Sequence, residues 1–298
     1  MSWRVLYIEK ANYLSLYLDN LKIKQGVDES TIPLSDINSI VIDNNSLTLT
    51  VPLINKCMEY KINIILCDIY HLPNSIIFPY SGNYQSPFQL NKQIKWSEKS
   101  KKYLWQRIVK QKIYNQRFIL KKYKSEEKLS IDKLGIYEKD VVMGDTTNRE
   151  GHAAKVYFNS LFGSDFVRQA DDSINASLNY GYSILRSQIC RALIGKGLDA
   201  KLGIFHKGMS NEFNLADDLI ETFRPIIDEY VYKNVYPNNS FNHDVRLEIV
   251  ELTTKKVLIK GKKQTIVNAI NIMIDGIITF FDTGDIDTIV LPVTDVSE

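Results

Sequence analysis

From Lys92 to Lys124 the chain runs without a glycine or a proline, which removes the two residues that most readily end a helix. Inside this stretch Leu104, Trp105, Ile108 and Val109 recur at helical spacing, so it predicts one long helix. The same segment holds twelve Lys or Arg and a single acid, Glu98, for a charge of +11. The rest of the chain carries 25 basic and 34 acidic residues, or −9, and the overall +2 therefore hides a segregation. Lys92, Lys95, Lys99, Lys102, Lys110, Arg117, Lys121 and Lys124 fall near one stripe of the predicted helix. Like charges on one stripe repel, and a polyanion laid along them relieves the repulsion by releasing its counterions. A solvated helix face also accounts for such a stripe. The near absence of interleaved Glu for i,i+4 pairing, with Tyr103, Trp105, Tyr114 and Tyr123 set among the cations, favours nucleic acid.

The segments around this helix predict an α+β chain, a β-rich N-terminal domain followed by a larger all-helical domain. Residues 5–8, 13–18, 21–24, 37–42 and 62–67 are short β-branched and aromatic runs, with Asp19-Asn20 as a hairpin turn and one helix over 49–60. Two prolines, a glycine and small polar residues then punctuate 72–83. The organisation expected is a β-rich domain over 1–82, a linker over 83–95 and a helical domain over 96–298. Further helices are predicted at about 148–162, 172–195, 213–235 and 264–281, with 255–264 left as a hairpin or loop.

At 298 residues the chain is long enough for about two cored domains. Apolar residues at 44% exclude a disordered chain, and no apolar run is read as a membrane helix. The first residues alternate like a strand and lack signal-peptide character, so a cytoplasmic location is expected. Cys57, Cys67 and Cys190 are odd in number and form no CxxC pair, which argues for reduced core thiols and against a cysteine zinc site.

Acidic residues concentrate between Glu212 and Glu229, against a single Arg224. Asp218 and Glu221 are three apart on the predicted helix, so both project from one face. A hard divalent cation would relieve their repulsion and would serve phosphodiester chemistry; ordinary surface acids are the alternative. His206 lies in an apolar run closed by Gly203 and Gly208, just before that helix. It reads either as a hydrogen-bonded core residue or as a ligand. Glu150 follows Asn148 and Thr147, either of which can cap a helix, and a first-turn glutamate suits the helix dipole. Gly151 is less expected there, and close approach of a backbone or ligand would explain it.

Taken in order, Asn-Arg-Glu-Gly-His (148–152) running into Ala-Lys-Val-Tyr-Phe (154–158), Ile-Asn-Ala-Ser-Leu-Asn-Tyr-Gly-Tyr (174–182), Phe-His-Lys-Gly (205–208) and Phe-Asn-Leu-Ala-Asp-Asp-Leu-Ile-Glu-Thr-Phe-Arg-Pro (213–225) resemble the CRISPR-associated spacer integrase family, Cas one. The Trp3-Arg4 opening and the stretch from Leu72-Pro73 to Gln93-Ile94 resemble its type II variant. The resemblance implies a metal-dependent DNA integrase and endonuclease. It joins the 3′-hydroxyl ends of new spacer DNA to repeat boundaries by transesterification. Also implied are a dimerising N-terminal domain and Mg²⁺ or Mn²⁺ held by Glu150, His206 and Glu221, with Asp218 as supporting acid. Asp217 adds an acid beside the pair, and Thr222 stands where many relatives carry proline. The partners implied are double-stranded DNA, a second copy of the chain, the small protein Cas two and other type II adaptation proteins, with no membrane. Lys92, Lys95, Lys99, Lys102, Lys110, Arg117 and Lys155 are the expected DNA contacts. Two rival readings use the same residues: a structure-selective repair nuclease, and a DNA-binding assembly subunit without catalysis.

Overall fold

The computed structural model describes residues 4–80 and 83–294. Trp3 and the expected boundary at residue 82 lie outside the described residues. In chain order the N-terminal part holds β1 (Arg4–Ile8), β2 (Tyr13–Tyr17), β3 (Asn20–Gln25), β4 (Asp28–Pro33), β5 (Ile37–Ile42), β6 (Thr48–Leu49), α1 (Val51–Glu59), β7 (Asn63–Cys67) and β8 (Pro73–Ile77). Then follow α2 (Ser86–Ile94), α3 (Glu98–Tyr123), α4 (Lys128–Asp140), α5 (Arg149–Phe162), α6 (Ser173–Gly195), α7 (Asn214–Ile220), α8 (Arg224–Asn234) and α9 (His243–Leu252). The hairpin β9 (Lys256–Ile259) and β10 (Lys262–Thr265) precedes α10 (Ile266–Thr283). The chain is thus α+β as expected, with one hairpin inside the otherwise helical C-terminal part.

Two sheets make the N-terminal part. One runs β1-β5-β7-β8, parallel except for β8, and the other runs β4-β3-β2-β6. Alternate side chains of β5 face different cores. Ile40 and Ile42 point with Leu14, Leu21, Leu53 and Ile64 into the core under α1, whereas Val41 joins Ile65 and Cys67 against the helices. All six residues of β5 are buried, as a central parallel strand covered on both faces requires. The first sheet is therefore shared between both parts of the chain, and Gln188 on α6 donates from Nε2 to Ser39 Oγ at 2.8 Å.

Polar groups reinforce that junction. Arg246 on α9 reaches Asp43 at the end of β5 (Nε to Oδ2, 2.9 Å) and Glu9 just after β1 (Nη2 to Oε1, 3.2 Å). Tyr7 OH donates to Asp43 Oδ2 at 2.5 Å, His71 Nδ1 lies 2.7 Å from Asp43 Oδ1, and His243 pairs with Glu9 at 2.7 Å.

Three expectations change. The segment read as a linker, 83–95, contains α2. The single helix read over 92–124 breaks at Lys95–Ser97, where the Ser97 side chain caps α3 by accepting from the Ser100 amide; Lys92 and Lys95 therefore leave the α3 stripe. Helix α10 is long and apolar enough to cross a membrane, with 18 residues at a mean hydropathy of 1.4. That departs from the reading that no such run exists, but Ile266, Ala269, Ile270, Met273, Ile274, Ile277 and Phe280 are buried in the protein core. Cys57, Cys67 and Cys190 are buried free thiols, and burial pushes each up to about 12.

Candidate active site

Glu150 stands in the first turn of α5. Asn148 caps that helix, its Oδ1 accepting from the Gly151 amide at 3.2 Å, while the Asp145 carboxylate accepts from the amides of Arg149 and Glu150. A Cβ on Gly151 would come within 2.7 Å of the Asn148 side chain, so the glycine makes room for the cap rather than for a ligand.

Glu221 sits where the sequence periodicity ran on but the helix does not. Pro225 opens α8 and cannot donate to the carbonyl four residues back, which belongs to Glu221. The predicted helix 213–235 therefore splits into α7 and α8. Glu221, 4% exposed, lies at the break. Arg224 Nε lies 2.8 Å from Glu221 Oε1 as an ion pair, and Lys112 from α3 pairs with its other oxygen. Lys112 Nζ also lies 2.6 Å from Glu150 Oε1, so a single ammonium bridges the two carboxylates. Burial alone would push the Glu221 carboxyl up; Arg224 and Lys112 outweigh it and hold the group below its ordinary value. Burial would likewise lower Lys112, but Glu221 and Glu150 raise it.

His206 lies on the loop between α6 and α7. Asp218, fully buried on α7, organises that loop, its carboxylate accepting from the amides of Ile204 (2.5 Å), Phe205 (3.0 Å) and His206 (3.0 Å). Its Oδ1 lies 2.7 Å from His206 Nδ1. A Cβ at Gly203 would meet the His206 carbonyl oxygen at 2.2 Å, so only glycine permits this turn. Phe205 stacks on the buried Trp105 of α3 at 4.4 Å between centroids, and the edge of His206 approaches the same indole. Asp217 points away, to Arg186 Nε at 2.7 Å and the Asn211 amide at 2.8 Å. Of the two adjacent acids, Asp218 is the one in contact with the histidine.

The hydrogen bond to Asp218 raises the His206 pKa; burial opposes the shift, and Glu221 and Glu150 add to it. With the folded value above the unfolded one, this interaction stabilises the fold below the ordinary histidine pKa and is lost as pH rises through the raised value. In the metal-free protein, NMR titration of His206 is expected to give a pKa above 6.5 that drops on Asp218→Asn. An identical titration in the variant would contradict the assignment.

The fold thus brings Glu150, Glu221 and His206 into one electrostatic neighbourhood around Lys112. Among the described residues, no three His, Cys, Asp or Glu side chains gather closely enough to hold a metal as they stand. Lys112 occupies the place between the carboxylates instead. Lys112 is not legible in the sequence as part of the site; the available signal is that it lies one turn after Ile108 on the buried stripe of α3 and off the basic stripe.

The basic residues separate into two groups. Lys92 is paired with Asp282 at 2.9 Å and Arg117 with Glu138 at 3.5 Å, while Lys110 is half-buried. Lys95, Lys99, Lys102 and Lys155 are exposed and have no ion pair among the described residues. A cavity of about 420 Å³ opens beside His206, lined by Lys101, Lys201 and Lys207 among others. These three are not adjacent in sequence: Lys101 comes from α3, and Lys201 and Lys207 from two parts of the loop before α7. A larger cavity of about 660 Å³, lined mainly by Ile76, Phe78, Leu90, Ile194, Leu198 and Phe213, includes none of the three site residues.

Residues 6–255 match the family model described as CRISPR associated protein Cas1. The chain belongs to the Cas1 family. It is 40% identical over 228 residues to a CRISPR-associated endonuclease Cas1 of Neisseria meningitidis, covering 76% of this chain and 74% of that protein. Two solved structures share the Cas1 fold. A casposase bound to integration product matches at a TM-score of 0.75 with 20% identity, covering 96% of this chain and 92% of the other. A chain of a Cas6-RT-Cas1–Cas2 complex matches at 0.77 with 17% identity, covering 97% of this chain and 36% of that one. In this Cas1-family chain the match spans both sheets and the segments carrying Glu150, His206 and Glu221.

Proposed function

We propose that this protein joins the 3′-hydroxyl ends of spacer DNA to the repeat boundaries of a CRISPR array of a type II system, with DNA nicking as the hydrolytic counterpart. The observation that carries the reading is that Glu150 and Glu221, from separate segments, meet on one ammonium, with the Asp218-oriented His206 close enough to feel both of their charges. Two carboxylates and an imidazole suit Mg²⁺ or Mn²⁺, and the cation already bridging Glu150 and Glu221 is an observation of this structure that fits the donor set. A divalent ion held there would stabilise the charge developing at the attacked phosphodiester. Glu150, Glu221 and His206 are its proposed ligands.

The chain's own residues supply the rest. Asp218 holds Nδ1 of His206 and so would leave Nε2 for ligation, the usual way a carboxylate orients a metal-binding imidazole. Trp105 and Phe205 form an apolar wall beside His206, limiting how the ring can turn. Joining exchanges one phosphodiester for another: the 3′-hydroxyl oxygen bonds phosphorus and loses its proton, while the displaced strand oxygen leaves and gains one. No ATP is required.

The exposed Lys95, Lys99, Lys102 and Lys155 are proposed to hold DNA backbone, which fixes position without reading sequence. The family's spacer chemistry also makes a second copy of the chain, the small protein Cas2 and other type II adaptation proteins the proposed partners, in the cytoplasm. The chain of the complex matched above is from an assembly that contains Cas2.

The deciding experiment supplies labelled DNA with a free 3′-hydroxyl, a supercoiled repeat plasmid and Mn²⁺. Covalent transfer of label supports integration, and nicking alone supports the repair-nuclease reading. For the interface, replacing Lys95, Lys99 and Lys102 together by Glu is expected to weaken DNA binding and to lower the slope of log affinity against log salt by about three. Unchanged affinity at low salt would return these lysines to a solvated face.

A further inference from the structure

The site contains a charge that neither the motifs nor the proposed reaction uses. Lys112 is only 7% exposed, yet its stem crosses from α3 into the gap between Glu150 and Glu221. The charged groups that act on that gap are the two carboxylates, Arg224 with its Nε 2.8 Å from Glu221 Oε1, the buried Asp228, and His206, whose Nδ1 lies 2.7 Å from Asp218. Arg224 holds the far oxygen of Glu221 and lies over the Tyr182 ring at 4.4 Å, which fixes its guanidinium in place. Lys112 differs in kind: its ammonium is a single charge on a flexible four-carbon stem, able to withdraw without moving the helix.

We propose that Lys112 is a positioning residue, the resident cation of the metal-free protein. Its ammonium keeps Glu150 and Glu221 facing one another, and a divalent ion enters by displacing it. Two acids brought into a buried space repel unless a cation stands between them. The chain supplies one for the interval before metal binds, so folding does not depend on metal. The consequence is competition: an entering divalent ion must break both contacts of the ammonium, and its affinity is lower than the two carboxylates alone would give it. Glu150, Glu221 and His206 then act as ligands only when Lys112 has moved.

This inference rests on the metal-site reading above, and one set of measurements separates their failures. Mn²⁺ binding to the full chain is followed by the EPR signal of the free ion, with thermal unfolding recorded with and without Mn²⁺. For Lys112→Met the metal-free protein is expected to melt lower. Its Mn²⁺ affinity should rise by roughly tenfold or more, since each of the two close charge contacts removed is worth about that much, with a larger metal-induced gain in Tm than wild type. Unchanged or weaker Mn²⁺ affinity overturns the displacement. If neither protein binds Mn²⁺, the metal-site reading itself fails and takes the inference with it. Binding in the variant alone would support both.

Should Lys112→Met not fold, Lys112→Gln keeps a hydrogen-bond donor without the charge and carries the same expectation. Wild-type protein gives an independent readout by reductive methylation and mass spectrometry. Lys112 is expected to be protected without Mn²⁺ and to become labelled with it, whereas protection in both states would contradict displacement.

Discussion

Glutamine in place of Glu221 is expected to cut strand joining by roughly three orders of magnitude or more, the scale of losing a group on which the transition state depends. The amide keeps the volume of the carboxylate but not its charge, so under the proposed metal site it could not share a divalent ion with Glu150. The variant also leaves two cations, Lys112 and Arg224, facing a neutral side chain in a buried site. Breaking a buried ion pair from one side costs on the order of 3–5 kcal/mol, so activity must be measured below the variant's own melting temperature. DNA affinity is expected to survive, because the exposed lysines lie on other segments. Near-normal joining by a folded Glu221→Gln protein would remove Glu221 from the site; loss of joining together with DNA binding would point to misfolding instead.

The second large effect lies far from that site, where α9 meets the first sheet. Replacing Arg246 by Ala leaves Asp43, 3% exposed, without its cation and Glu9 without one of its two partners. Tyr7 and His71 still reach Asp43, but neither supplies the fixed charge of a guanidinium. A loss on the order of 3–5 kcal/mol is expected, corresponding to a fall in Tm of roughly 5–8 °C for a chain of this size. Hydrogen exchange should rise most in β1 and β5, whose C-terminal ends the guanidinium holds. A Tm within a degree or two of wild type would show that apolar packing of the shared sheet carries this junction alone.

Both effects arise at contacts between distant parts of the chain, and there the limits of sequence reading are plainest. The strand run at 37–42 marks a buried strand, but which core each residue enters depends on the pleat and on what covers the two faces. A boundary between a β-rich and a helical part is legible from the change in period. That the first sheet belongs to both parts is not, because Arg246 and Asp43 are 203 residues apart. The helix predicted over 213–235 has the right period throughout. Only the missing amide of Pro225 marks the break, and it places Glu221 at a helix end rather than on the face it was expected to share with Asp218.

Legible in the sequence alone are a β-rich part followed by a helical one, a capped helix start at Thr147 or Asn148, the core thiols and the ordered Glu, His and Asp-x-x-Glu motifs that carry the family resemblance. These are properties of neighbours: hydrophobic period, capping side chains and turn-forming glycines act within a few residues. Tertiary structure decided which cations face solvent and which face acids. Lys112 counted towards the +11 that first suggested a polyanion partner, yet burial of the α3 stripe turns it inward to Glu150 and Glu221. The physical reason is that an ammonium settles where carboxylates have been desolvated around it, and only the packing of α3 against α5 and the α7–α8 break creates that place.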